Sequence, residues 1–296
     1  MEGLDLGHRI VHFSQSFVKR SGPIPSTSVP NTLQWSKNGT TLWSGPRRTT
    51  VAPDCFTCAF MGTIVCAMSS SAPPVPAMQN GDRLARGEFE RRYEAMPGDR
   101  TAELIEGTVY MPPPVHTSGH GEPHAHLMTW LGTYAAATPG VQVADNATIR
   151  LDLDNEPQPD GLLRIEEDAG GQSRISDDDY VKGPAELIVE VAHSSAAYDL
   201  HDKKRAYRRS GVQEYLVWQI EETRVDWFVL EGGEYLSLSP GEEGLVRSRV
   251  FPGLVLDVDA LLEKRYDAVL AAVQEQTGTE AHQAFIEQLA AENGGT

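Results

Sequence analysis

No cysteine follows position 66; Cys55, Cys58 and Cys66 are all there are. The remainder of the chain can therefore build neither a disulfide framework nor a thiolate metal centre. Long apolar runs are missing as well, and nothing approaches the ~20 residues of a membrane-spanning helix. The first twenty residues lack the continuous apolar stretch of a signal peptide. Basic charge is the third scarcity: 25 Lys and Arg stand against 42 Asp and Glu, a formal charge of −17. Such a chain is poorly suited to long-range attraction of nucleic acid. There is no internal repeat. These absences leave a chain read as cytoplasmic, 40% hydrophobic and able to bury a real core.

The charge is unevenly placed. Residues 1–67 hold six Lys and Arg against three Asp and Glu, whereas residues 68–296 hold nineteen against thirty-nine. The first part is rich in Ser, Thr, Pro and Gly, as in "RSGPIPSTSVPNTLQWSKNGTTLWSGPRRTT", and its apolar residues repeat at neither 2 nor 3.6. That pattern predicts a disordered N-terminal extension over 1–67. Met68 would then make a natural start, with 68–83 as a linker. The Cys55-x-x-Cys58 pair lacks the two further ligands that a zinc site needs.

From residue 84 to 276 the pattern predicts one mixed α/β domain, followed by a helical, frayed tail over 277–296. "LARGEFERRYEAMP" reads as a helix closed by Pro97-Gly98, and "TAELIEGTVYMPP" as a strand pair turning at Gly107. Leu127, Trp130, Leu131 and Tyr134 form a helical stripe. "ELIVEVA" is the most apolar strand and is expected to be central. "AAYDLHDKKRAYRRSG" reads as a helix capped at Gly211. "VQEYLVWQI", "RVDWFVLEGG" and "EYLSLSP" predict a β-meander, and "LDVDALLEKRYDAVLAAVQEQ" a closing amphipathic helix that packs on the domain or pairs with a second copy, so a homodimer is a candidate assembly.

Chemistry enters at two carboxylates. Asp160 opens a short apolar strand and Glu190 interrupts the strongest one. Adjacent strands could bring both to one end of a sheet, where hard oxygen ligands suit Mg²⁺ or Mn²⁺. A lone buried carboxylate is costly, so Glu190 needs a partner or an exit to water. The residues alone leave open a metal ligand or a strand-end ion pair. Asp199, Lys203 and Tyr207 follow at i, i+4 spacing and share a helix face. This reads either as a surface Asp–Lys pair or as a lysine aimed at a phosphate. His116, His120, His124 and His126 crowd eleven residues, but Gly and Pro interrupt them, which favours a polar loop over zinc.

Together these segments resemble the Uma2 family, within the PD-(D/E)XK restriction-endonuclease-like superfamily. The resemblance runs from about Phe89 to Leu262 and rests on "AELIEGTVYMPPP", "PQPDGLL", "ELIVEVAHSS", "DLHDKKRAYRRSGVQEYLVW" and "FPGLVLDVDALL". It implies a restriction-endonuclease-like core, a mixed central β-sheet flanked by helices, with metal-dependent hydrolysis of DNA phosphodiesters; the acidic charge leaves open a non-catalytic binding or regulatory module of the same fold, or a hydrolase of smaller phosphoesters. By the same resemblance Asp160 and Glu190 would be metal ligands, joined by Glu103 and the backbone carbonyl of Val191. Lys203 would supply the catalytic lysine. His124, His193, Tyr207 and Arg208 are further candidates, the last within a basic run, "KKRAYRR", that could face phosphate. Two departures stand out: Ala192 occupies the usual lysine slot of the Glu-x-Lys motif, and His193-Ser194-Ser195 replaces Ser-Pro-Ser.

Overall fold

The computed structural model describes residues 74–98, 100–112, 117–193 and 195–294. The expected N-terminal extension, the Cys55–Cys58 pair and His116 lie outside the described residues. All described residues belong to the unit that runs from Ser69 to Thr296.

The chain enters through α1 (Arg86–Glu94) and the hairpin β1 (Glu103–Ile105) and β2 (Thr108–Tyr110). A π-turn at Thr117–Gly121 leads into α2 (Glu122–Ala137), then β3 (Val141–Asp145), β4 (Ile149–Arg150) and β5 (Gly161–Ile165). The short strands β6 (Arg174–Ile175) and β7 (Val181–Lys182) precede β8 (Leu187–Ala192). Next come α3 (Ala196–Tyr198), a π-turn at Asp199–Lys203 and α4 (Lys204–Ser210), ended by Gly211 at φ +88°. The meander is β9 (Glu214–Gln219), β10 (Arg224–Glu231) and β11 (Glu234–Ser237). The chain closes with β12 (Leu245–Arg247), β13 (Val255–Asp257), α5 (Val258–Leu262), α6 (Tyr266–Gln276) and α7 (Glu280–Asn293).

Six strands form the central sheet in the order β11-β10-β9-β8-β5-β3. Only β8 and β9 run parallel, joined by the α3–α4 crossover; the other neighbours are antiparallel. The expected mixed sheet flanked by helices is thus present. Strand β8 is interior and buried along its whole length, which its apolar composition requires.

Alternation along β8 assigns its side chains to two cores. Leu187, Val189 and Val191 face α2, whose Leu127, Trp130, Leu131 and Tyr134 pack with them. Ile188 and Ala192 face the other way, toward Tyr207 of α4. Glu190 lies in step with Ile188 and Ala192, so its carboxylate points under the crossover helix. Gly161, directly after Asp160, lets α2 come close: a Cβ there would sit 2.6 Å from Met128 Sδ and 2.9 Å from Val189 Cγ2.

Two ends of the chain differ from expectation. The segment after 276 is not a frayed tail, because Phe285 and Leu289 of α7 are buried in the α2-side core and His282 meets Thr138 at 2.9 Å. Met78, expected in a linker, is buried with Phe89, Leu104 and Val109. An apolar residue three or four places apart in a short helix is enough to dock it when a complementary face is waiting.

Candidate active site

The antiparallel register of β5 and β8 sets Gly161 opposite Val189, so Asp160 and Glu190 emerge at the same sheet end. The Asp160 N–H approaches Glu190 Oε2 at 3.4 Å, and the Val191 N–H donates to Asp160 Oδ2 at 2.6 Å. Ala192 gives its carbonyl to Ile220 on the β9 side. Alternation therefore turns the backbone groups of Val191 toward Asp160.

Lys203 closes the group from the π-turn. Its Nζ lies 3.0 Å from Glu190 Oε1, 3.0 Å from Glu103 Oε1 and 3.8 Å from Asp199 Oδ1. Tyr207, one turn on, donates its hydroxyl to Glu190 Oε1 at 3.0 Å. Glu103 arrives from β1 and also accepts the Gln158 N–H at 2.7 Å. Ala192 leaves the strand slot without a lysine, and the crossover helix delivers one from beneath the same carboxylate.

The group lies at the floor of a cavity of about 1030 Å³ lined also by Tyr110, Tyr198, His120, His124 and Arg100. Glu190 and Lys203 are only 3% and 5% exposed, so these charges meet little water. Burial, reinforced by Asp160, Asp199 and Glu103 against the opposing pull of Lys203, pushes the Glu190 carboxyl well above its ordinary range. Burial likewise pushes Asp199 up to about 6, with Lys203 opposing it. Burial works to lower Lys203, but Glu103, Glu190 and Asp199 outweigh it and hold the ammonium above its usual value.

Glu103, Glu190 and Asp199 face that single cation and Asp160 lies beside Glu190, an excess of negative charge that suits an additional hard cation. Among the described residues, no three His, Cys, Asp or Glu side chains converge as a ready metal-binding set. Their oxygens are instead engaged with Lys203, Tyr207, the Val191 N–H and His120. Glu190 Oε2 is approached at 3.4 Å by the Asp160 N–H, longer than the contacts that hold Glu190 Oε1. By donor chemistry and charge, the residues fit Mg²⁺ or Mn²⁺.

The remaining sequence candidates separate. His124 Nε2 lies 2.9 Å from the Asp160 carbonyl oxygen and 2.9 Å from Asp145 Oδ1. His193 reaches the cavity rim, with Nδ1 3.6 Å from Glu221 Oε1. Arg208 does not join them: its guanidinium is bound to the Gly233 carbonyl and Glu234, on the turn between β10 and β11. Nor does the basic run form a free phosphate-facing patch. Lys204 lies over the Phe228 ring at 3.3 Å, while Arg205 and Arg209 both bind Glu106.

Three residues carry more of the site than the sequence assigned them. Asp199 is buried, not part of a surface pair. His120 Nε2 meets Asp160 Oδ1 at 3.0 Å, while His126 leaves the group to stack on Tyr266. Tyr198 packs on Tyr110 with ring centroids 4.0 Å apart, and its buried hydroxyl has no partner among the described residues. The i, i+4 spacing from His116 through His120 to His124 was the one signal that pointed to His120.

A profile of the Uma2 family, described as "Putative restriction endonuclease", matches residues 87–259. Among solved structures, a similar chain is described as a putative nuclease belonging to DUF820 from Anabaena variabilis ATCC 29413. It is 14% identical, with a TM-score of 0.46, over 58% of this chain and 96% of that one. No protein with a curated description matches.

Proposed function

The chain belongs to the Uma2 family, and from that premise and its carboxylate–lysine floor we propose a metal-dependent endonuclease that hydrolyses DNA phosphodiester bonds in the cytoplasm. The observation that carries this reading is the convergence of Asp160, Glu190 and Lys203 at one end of β5 and β8, inside a cavity. Among the described residues no helix is long and apolar enough to cross a membrane.

Asp160 and Glu190, with the Val191 carbonyl and Glu103 beside them, would hold Mg²⁺ or Mn²⁺. When bound, the cation would acidify a water and offset charge on the phosphate. The protein's own part is positional. Tyr207 and Lys203 fix one oxygen of Glu190, leaving the other toward Asp160. His120 and the Val191 N–H fix both oxygens of Asp160. Lys203, held protonated, offsets negative charge that builds on the phosphoryl oxygens as the bond is broken. In the reaction, the water oxygen forms a new bond to phosphorus and the bond to the leaving ester oxygen breaks. One water proton is released, and the leaving oxygen ends as a hydroxyl.

The test is cleavage of labelled DNA with Mg²⁺ or Mn²⁺ by the wild type, Glu190→Ala and Lys203→Ala. A calorimetric titration of each cation runs alongside it. Metal-dependent cleavage lost in both variants, with cation binding lost in Glu190→Ala, is expected. Absence of cleavage with either cation on every DNA form, from a protein that folds, overturns the proposal.

A further inference from the structure

A nuclease that grips a duplex needs basic surface, because phosphate contacts supply much of the affinity. In this chain the one dense basic run is spent internally. Arg205 and Arg209 are taken by Glu106, Arg208 by Glu234, Lys204 by the face of Phe228, and Lys203 by the site itself. Arg100, exposed on the cavity wall, has no acidic partner among the described residues.

The site is also sunk. Asp160 and Glu190 are 9% and 3% exposed, at the bottom of the cavity, so a scissile phosphate must enter the protein to reach them. A stacked duplex keeps its backbone on the outside of a stiff, wide cylinder. A single strand can bend a phosphodiester inward and turn its bases out.

The cavity walls match that second case. Tyr110 and Tyr198 form a paired aromatic wall, rings 4.0 Å apart, on which an unstacked base can lie. Asn80, Asn146 and Gln158 also line the cavity; each has one amide atom hydrogen-bonded within the protein and a second with which to meet a base edge. The Tyr198 hydroxyl is buried beside the carboxylates and has no partner among the described residues. Such a donor is normally satisfied, and a bound ligand would satisfy it.

We propose, on the basis of the nuclease reading above, that the substrate is single-stranded nucleic acid. One nucleotide enters the cavity, its base lies against the Tyr110–Tyr198 wall, and Arg100 contacts a phosphate at the mouth. The strand is gripped by few phosphates, which reconciles phosphodiester chemistry with a domain in which acids outnumber bases two to one.

The experiment uses the full chain with Mg²⁺ or Mn²⁺. It compares a labelled DNA strand, the same strand annealed to its complement, and the matching RNA strand across a salt series. The DNA strand should be cut at least ~10-fold faster than the duplex, with log rate falling against log salt at a slope near −1, as one or two phosphate contacts give. Arg100→Ala should raise KM and flatten that slope by about 0.7, leaving kcat unchanged. Tyr110→Ala should raise KM for the single strand. Duplex cleaved as fast as the strands, or a slope several units steep, overturns the single-strand assignment and leaves the nuclease reading standing. No cleavage of either DNA form overturns the endonuclease reading, and this inference with it, whatever happens to the RNA strand.

Discussion

Lys203 Nζ lies 3.0 Å from Glu190 Oε1, although one residue belongs to a helical turn and the other to the interior of a β-strand. The contact is buried and shared, since Glu103 and Asp199 also face the ammonium. Removing the cation leaves carboxylates with no compensation on a cavity floor where they are only a few per cent exposed. Lys203→Met should destabilise the fold by about 3–5 kcal/mol, the usual cost of breaking a buried pair from one side. The loss should depend on pH. Glu190 and Asp199 already have raised folded-state values, and without Lys203 they rise further, so the variant's fold binds protons that its unfolded chain releases. Stability is then recovered as pH falls toward the unfolded carboxylate range and lost as pH rises. Urea denaturation at pH 5 and pH 8 checks this; an equal deficit at both rejects it.

Much of this arrangement was legible before the structure. The apolar run of ELIVEVA marked Glu190 as a carboxylate needing a partner, the Pro-Asp position gave Asp160 a strand end, and i, i+4 spacing tied Lys203 to Tyr207. Spacing says which residues share a face but not where that face points, so Asp199 read equally well as a surface partner. Arg208 shows the limit in the other direction. Five residues beyond Lys203, it lies about 140° around the helix and meets the β10–β11 turn instead of the cavity. The docking of α7 was hidden for a different reason: its sequence shows a stripe, but the complementary surface is built from Tyr134, Phe251 and Thr138, far away in the chain.

A second pH effect lies outside the site. Glu156 is pushed up to about 7 by burial first and then by the facing Glu90, with Arg150 and Arg86 opposing. Its folded value is above its unfolded one, so its contribution to stability is full below about 4.3 and is lost as pH rises to about 7. Glu156→Gln keeps the shape without the titration. The variant should match the wild type near pH 4, exceed it above pH 7.5, and show a flatter melting-temperature profile between. A profile parallel to that of the wild type would count against this account.

The last helix should prove structural. Phe285 meets Phe251 edge to face at 6.4 Å between centroids and sits in the α2-side core. Phe285→Ala should cost about 3 kcal/mol, at the low end for a buried aromatic because the site is near the surface. Melting and urea curves would measure it. A change below about 0.5 kcal/mol, the scale of ordinary surface substitutions, would return α7 to the status of a tail.

Glu106 neutralises two arginines at once. Arg205 Nε donates to its Oε1 at 2.9 Å and Arg209 Nη1 at 2.8 Å, and the hydrogen bond from Arg205 is the main reason its carboxyl is held below the ordinary range. Glu106→Gln keeps the backbone conformation, which has a positive φ of 50° in the β1–β2 turn, and removes the charge. Because these pairs are exposed, the stability loss should stay within about 1 kcal/mol. Arg209 then becomes free to meet phosphate, while Arg205 keeps its 2.9 Å pair with Asp202. Binding to duplex DNA at low salt should tighten several-fold, and the dependence of log affinity on log salt should steepen by about one, the increment for one freed cation. Fluorescence anisotropy across a salt series reads both. If the variant binds duplex no better than the wild type, Glu106 is not what keeps this surface from nucleic acid, and the acidity of the remaining domain must suppress binding by itself.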